Sequence, residues 1–207
     1  MRLSDFYQAS TSHLHHAQTN GQLINGLRTF PLTSSQSVST YASPTSRSSY
    51  PSITDSNHLV ALGDEGFYNQ PGAPTYPYQG GEGIDFDVNL GIATLDFGTA
   101  HSYPEHWGQE ANITAWGKQW ITDHAASQKK ANKPVILEEF GSTIDQTATY
   151  KVWLDEVVRS GLAGDLIWQA GSHFDGWSSH DDGYTIYPDD PVYPILTQHA
   201  AALKARG

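Results

Sequence analysis

From residue 57 onward, apolar positions fall into short unbroken runs separated by stretches with helical spacing. Four runs read as strands: HLVALG from His58, IATLDFGTAH from Ile92, PVILEEFG from Pro134 and DLIWQAG from Asp165. Three are continuous rather than alternating, as parallel strands covered on both faces are. Their starts lie roughly 30 to 40 residues apart, the length of one strand, loop and helix. Between the second and third, Ile113, Trp116, Trp120 and Ile121 make one apolar stripe. Between the third and fourth, Tyr150, Trp153, Leu154, Val157 and Val158 repeat it, and Gly161 stands where a helix C-terminal cap belongs. A last helix is expected over about Tyr193 to Ala205, with Ile195, Leu196, His199 and Leu203 inward. Trp116, Trp120 and Trp153 are expected in the core. A long Gly, Pro and Tyr-rich loop runs from Tyr68 to Gly83, and loops of that length are usually functional.

The fold class is therefore α/β, with four consecutive strand-helix units, half of a (β/α)8 barrel. A half barrel exposes two strand edges and leaves the interior unfilled. The missing units are expected on the N-terminal side. Residues 1–57 contain no Glu and no Lys, are crowded with Ser, Thr, Tyr, Gln and His, and show no sustained period. Such a stretch buries too little apolar area to offset an ordering cost of about 1–2 kcal/mol per residue, so it reads as disordered. The expected division is a low-complexity segment over 1–50 and the α/β unit over 51–207.

Composition removes several partners. The 11 Lys and Arg against 22 Asp and Glu give a charge of -11, which repels nucleic acid and anionic membrane. Cysteine is absent, so no disulfide or thiol chemistry exists. No apolar run reaches the roughly 20 residues of a membrane-spanning helix, and residues 1–30 show no signal-peptide stretch. His13, His15 and His16 look like a metal cluster but lack carboxylate partners, so no metal site is expected. Six Trp and eleven Tyr beside only 16% charged residues suit a surface that stacks on flat apolar faces such as sugar rings.

In a parallel α/β barrel, reactive side chains stand at the C-terminal strand ends. The first end carries Asp64, Glu65, Gly66 and Phe67, and the second His101, Ser102, Tyr103 and Pro104, then Glu105, His106 and Trp107. The third carries Glu138 and Glu139 before Phe140 and Gly141; the fourth carries Trp168, then Ser172, His173, Asp175 and Trp177. Carboxylate, imidazole, phenol and indole on one rim is the composition of a glycosidase cleft. Strand alternation sends one of Glu138 and Glu139 to the barrel axis and the other away. Glu139 shares a face with Val135 and Leu137 and precedes the aromatic-Gly pair, so it is chosen and Glu138 is expected to point away. His180, Asp181 and Asp182 could ligate a cation, with loop solvation or a distal sugar subsite as the other readings. Asn112, Ile113 and Thr114 form a glycosylation sequon, with helix capping as the alternative use of Asn112.

The segments GDEGF, DFGTAHSYPEHWG, WGKQWITDHAA, KPVILEEFG and DLIWQAG resemble the second half of glycoside hydrolase family 5, in its fungal endo-β-1,4-mannanase branch. The resemblance covers about residues 51–207 and implies the last four units, strands five to eight, of a (β/α)8 TIM barrel. It implies Glu139 as nucleophile, His101 and Tyr103 as residues that contact the sugar and hold the nucleophile, and Trp168 as the stacking floor. Glu65 and Trp107 match positions lining neighbouring subsites. The implied substrate is β-mannan or manno-oligosaccharide, with no cofactor, a monomeric state and an extracellular location. The family's acid/base is the Glu of an Asn-Glu pair, and this chain has no such pair and no Glu before Glu65. The chain is therefore expected to be truncated and catalytically incompetent, with a carbohydrate-binding pseudoenzyme or a β-1,4-glucanase as alternatives.

Overall fold

The computed structural model describes residues 27–31 and 59–206. The strands are β1 (Leu27–Pro31), β2 (Leu59–Gly63), β3 (Gly98–Ser102), β4 (Val135–Phe140) and β5 (Gly164–Asp165), with a small hairpin of β6 (His173–Phe174) and β7 (Trp177–Ser178). The helices are α1 (Phe86–Leu90), α2 (Ile113–Ala131), α3 (Gln146–Ser160) and α4 (Tyr193–Arg206). β1 pairs in parallel with β2, and β3, β4 and β5 form a parallel sheet in that order. Two backbone bonds, Asp96 N–H to Val60 O at 2.8 Å and His101 N–H to Glu65 O at 3.2 Å, tie the β2 segment to β3.

The helical stripes pack as their spacing requires. Trp120, Ile121, Tyr150, Trp153 and Val157 are fully buried, and Trp116 nearly so. α2 and α3 approach at Gly117, where a Cβ would lie 2.3 Å from the Trp153 ring. The Trp153 indole N–H donates to Thr114 O at 3.0 Å, so this fully buried indole also satisfies its polar atom. Gly161 caps α3 in the left-handed conformation, φ 80°, where a side chain would be strained. α4 adds buried His199 and Leu203, and His199 Nε2 meets Asp165 Oδ2 of β5 at 2.6 Å with both side chains shielded.

Several expectations are corrected. Leu27–Pro31 is a strand inside the stretch read as patternless. Five residues of LRTFP are too few to display a period, and pairing with β2 supplies what local pattern does not. The remainder of the 1–50 segment, His13, His15 and His16 included, lies outside the described residues. The second strand begins at Gly98, not Ile92, because Asp96 turns its carboxylate back to accept the Val60 N–H at 2.8 Å. The fourth is a ladder of two residues, continued by single bonds from Leu166 N–H to Leu137 O and Trp168 N–H to Phe140 O, each 2.9 Å. The Tyr68–Gly83 loop is a packing element. Tyr68 stacks on Tyr78 at 5.3 Å, and both meet the Trp120 edge, which closes the end of the core over α2.

Candidate active site

β4 carries the central carboxylates, and its register decides where they go. Ala100 pairs with Leu137 but His101 pairs with Glu139, so Glu138 is an extra residue in the ladder. Such a bulge re-aims the side chains beyond it. Val135, Leu137 and Phe140 are all buried, and Phe140 packs on Tyr150 and Trp153 of α3. Glu139 consequently leaves the face of Val135 and Leu137 and stands on the opposite side, 32% exposed. The face argued for Glu139 from strand alternation is therefore the wrong one.

His101 is the hub. Its side chain is only 16% exposed, with Nδ1 3.5 Å from Glu65 Oε1 and 3.8 Å from Glu139 Oε2, and Nε2 3.5 Å from Glu138 Oε2. Glu138 therefore does not point away from the site, and the bulge is the reason. Burial pushes the imidazole pKa down, but hydrogen bonding to Glu138 and Glu65 and the charges of Glu139 and Glu65 outweigh it and lift it to about 10. At neutral pH the ring is a cation that balances part of three carboxylates.

The Tyr103 hydroxyl donates to Glu139 Oε2 at 2.8 Å. Burial, then the bond to Glu139, raises the phenol pKa, so the hydroxyl keeps its proton and its donor role. Tyr184 packs edge-on to Tyr103 at 5.7 Å and bonds His106 Nε2 at 2.8 Å, bracing the phenol from behind. Glu105 accepts from Ser142 Oγ at 2.7 Å, Thr143 N–H at 2.6 Å and Thr143 Oγ1 at 2.8 Å, pinning the segment after β4. Partial burial raises its carboxyl pKa, and these donors more than reverse that to leave it lowered.

Trp168 is 40% exposed, and its indole N–H donates to Asp182 Oδ2 at 2.8 Å; Gln169 Nε2 reaches the same oxygen at 3.0 Å. Asp182, weighed as a cation ligand, is thus a brace that fixes the indole plane. Trp107 is half-buried, edge-on to Phe67 at 5.1 Å and Trp116 at 5.6 Å, so much of its surface is spent on packing. His173, Phe174 and Trp177 form a hairpin of their own, with His173 stacked on Tyr187 at 4.7 Å.

The structure thus brings together Glu65, His101, Tyr103 and Glu139, with Trp168 one backbone bond from Phe140. Tyr184 and the roles of Asp182 and Glu138 were missed. DDGY marks a turn in sequence but carries no sign of what the turn touches. Among the described residues no group of three His, Asp or Glu side chains is arranged to hold a metal ion, and no helix is long and apolar enough to cross a membrane.

No protein-family model matches the chain. Over 162 residues it is 46% identical to mannan endo-1,4-beta-mannosidase A of Podospora anserina, covering 76% of this chain and 42% of that protein. Among solved structures, the endo-1,4-beta-mannanase from Rhizomucor miehei superposes with a TM-score of 0.66 at 45% identity, over 73% of this chain and 42% of that one. The endo-beta-1,4-mannanase from Thermotoga petrophila gives 0.66 at 36% identity, over 72% and 37%. The chain spans about two-fifths of the length of the curated relatives it matches.

Proposed function

The chain is a relative of the fungal endo-1,4-β-mannanases of glycoside hydrolase family 5, its strand-helix units forming part of that (β/α)8 barrel, and on this premise we propose that it carries the nucleophile half of a retaining β-mannanase site. Glu139 attacks the anomeric carbon of a mannosyl unit, and water then hydrolyses the mannosyl-enzyme. Tyr103 and His101 hold the Glu139 carboxylate, Trp168 stacks on the sugar at the cleavage point, and Glu65 and Trp107 line neighbouring subsites. The observation that carries the reading is the 2.8 Å bond from Tyr103 to a half-exposed carboxylate at the end of β4.

Retention needs a second carboxyl group about 5 Å across the bond, to protonate the leaving oxygen. No Glu precedes Glu65 in this chain, so the family's acid/base has no counterpart here. This polypeptide alone therefore binds β-1,4-mannan but does not turn it over, acts as a monomer outside the cell, and needs no cofactor. A binding-only role is the second reading, favoured by the exposed and rigidly held Trp168.

The test is reducing-end release from soluble mannan and from cellulose, together with retention on insoluble mannan. Retention without release is expected, weakened by Trp168→Ala. Release from mannan at an ordinary enzymatic rate would overturn the claim of incompetence, and a Glu65→Gln variant that abolishes it would identify Glu65 as the acid. Preference for cellulose would shift the substrate to glucan.

A further inference from the structure

The triplet Asn112, Ile113 and Thr114 takes no part in the site, and the structure removes the reading of Asn112 as a helix cap. Asn112 occupies the N-cap position of α2, with φ -147° and ψ 34°, yet its side chain makes no capping hydrogen bond. It is exposed, as are Glu110 and Ala111 before it. Its neighbours are committed elsewhere: Ile113 is 5% exposed in the core, and the Thr114 hydroxyl meets Thr149 Oγ1 of α3 at 2.8 Å. An amide at a helix start that neither caps nor packs is free for another use.

We propose that Asn112 is the acceptor of an N-linked glycan when the chain enters a secretory lumen. The proposal rests on the export element of the proposed function and not on activity. The whole sequence contains one Asn-X-Ser/Thr triplet, so one site is implied. In the transfer, Asn112 Nδ2 bonds to C1 of an N-acetylhexosamine donated by a lipid-pyrophosphate-linked oligosaccharide. The C1–O bond breaks with its electron pair leaving on the pyrophosphate, and the amide gives one proton to a base of the transferase. Transfer acts on an extended segment, so the Thr114 hydroxyl serves recognition first and takes up its bond to Thr149 on folding. The fold then has only to leave Asn112 in solvent, which it does. The glycan would cover the first turn of α2, on the segment that follows the Pro104–Trp107 turn.

The full chain is expressed in yeast behind a supplied secretion leader, and the leader-cleaved pool, secreted or retained, is weighed before and after peptide N-glycosidase treatment. Supplying the leader separates acceptor competence from natural export and from catalysis. A mass loss on treatment is expected in the wild type and in Thr114→Ser, with none in Asn112→Gln. Leader-cleaved wild type of unmodified mass would overturn the proposal. In protein made in bacteria, Asn112→Ala is expected to melt at the wild-type temperature; a lowered Tm would mean that the amide is a cap after all and would also count against it.

Discussion

Glu138 and Glu139 are neighbours in β4, yet both reach the same imidazole, Glu138 at Nε2 and Glu139 at Nδ1 of His101. Only the extra residue in the β3–β4 register allows this, since alternation would otherwise send them to opposite faces. The result is a cation held amid three carboxylates, one of which is the proposed nucleophile.

That arrangement sets a pH dependence. The folded pKa of His101, about 10, lies above the unfolded value near 6.5. Its contribution to stability is therefore complete below about pH 6.5 and disappears as pH rises through about 10. Thermal melting should fall across that window, and the His101 ring-proton resonance should titrate near its top. Glu138→Gln removes one of the three charges and should move that titration downward. An unchanged midpoint would show that Glu138 is not coupled to the ring.

Tyr103→Phe deletes the donor to Glu139 Oε2 while keeping the ring against Tyr184. A hydrogen bond to a charged group is worth about 1.5–3 kcal/mol, which corresponds to roughly 10- to 160-fold in the rate at which an activated mannoside labels Glu139. Stability should change little, because the aromatic contacts remain. Labelling as fast as wild type would remove Tyr103 from the site.

Gly117→Ala sets two effects against each other. Alanine improves helix propensity by about 1 kcal/mol, but its Cβ would stand 2.3 Å from the fully buried Trp153 ring. Trp153 has no room to retreat, so overpacking, typically about 1–3 kcal/mol, wins and the variant should melt lower. A Tm at or above wild type would show that α2 and α3 can slide apart.

Glu105→Gln should loosen the segment after β4. The carboxylate accepts three bonds from Ser142 and Thr143, and a Gln has a single acceptor oxygen, so a loss of about 1–3 kcal/mol is expected in denaturant unfolding. The folded pKa of Glu105 is lowered, so its contribution is present above the unfolded value and lost as pH falls through the folded one. The difference between variant and wild type should therefore shrink in acid. A difference independent of pH would assign the effect to packing.

The helices were legible because their stripes are long: Trp116, Trp120, Trp153 and Val157 all land in the core where period 3.6 puts them. α1 was not, being five residues long and held by tertiary contacts rather than by pattern, and β5 was read as longer than its two-residue ladder. Glu139 was chosen on a motif and a face, and the face failed because a bulge leaves no mark on hydrophobic alternation. Tyr184 and the contact made by Asp182 stayed hidden in a loop, where the residue that braces Tyr103 or Trp168 depends on a chain path with no period.

The most direct measurement is intact mass after incubation with a 2-deoxy-2-fluoro-β-mannobioside carrying a dinitrophenolate leaving group, which departs without proton donation and so requires the nucleophile alone. The expected result is a single glycosyl adduct mapped to Glu139, absent in Glu139→Gln, from a chain that leaves mannan polymer uncut. A chain that gains no adduct, or gains one on another carboxylate, would contradict the assignment of Glu139.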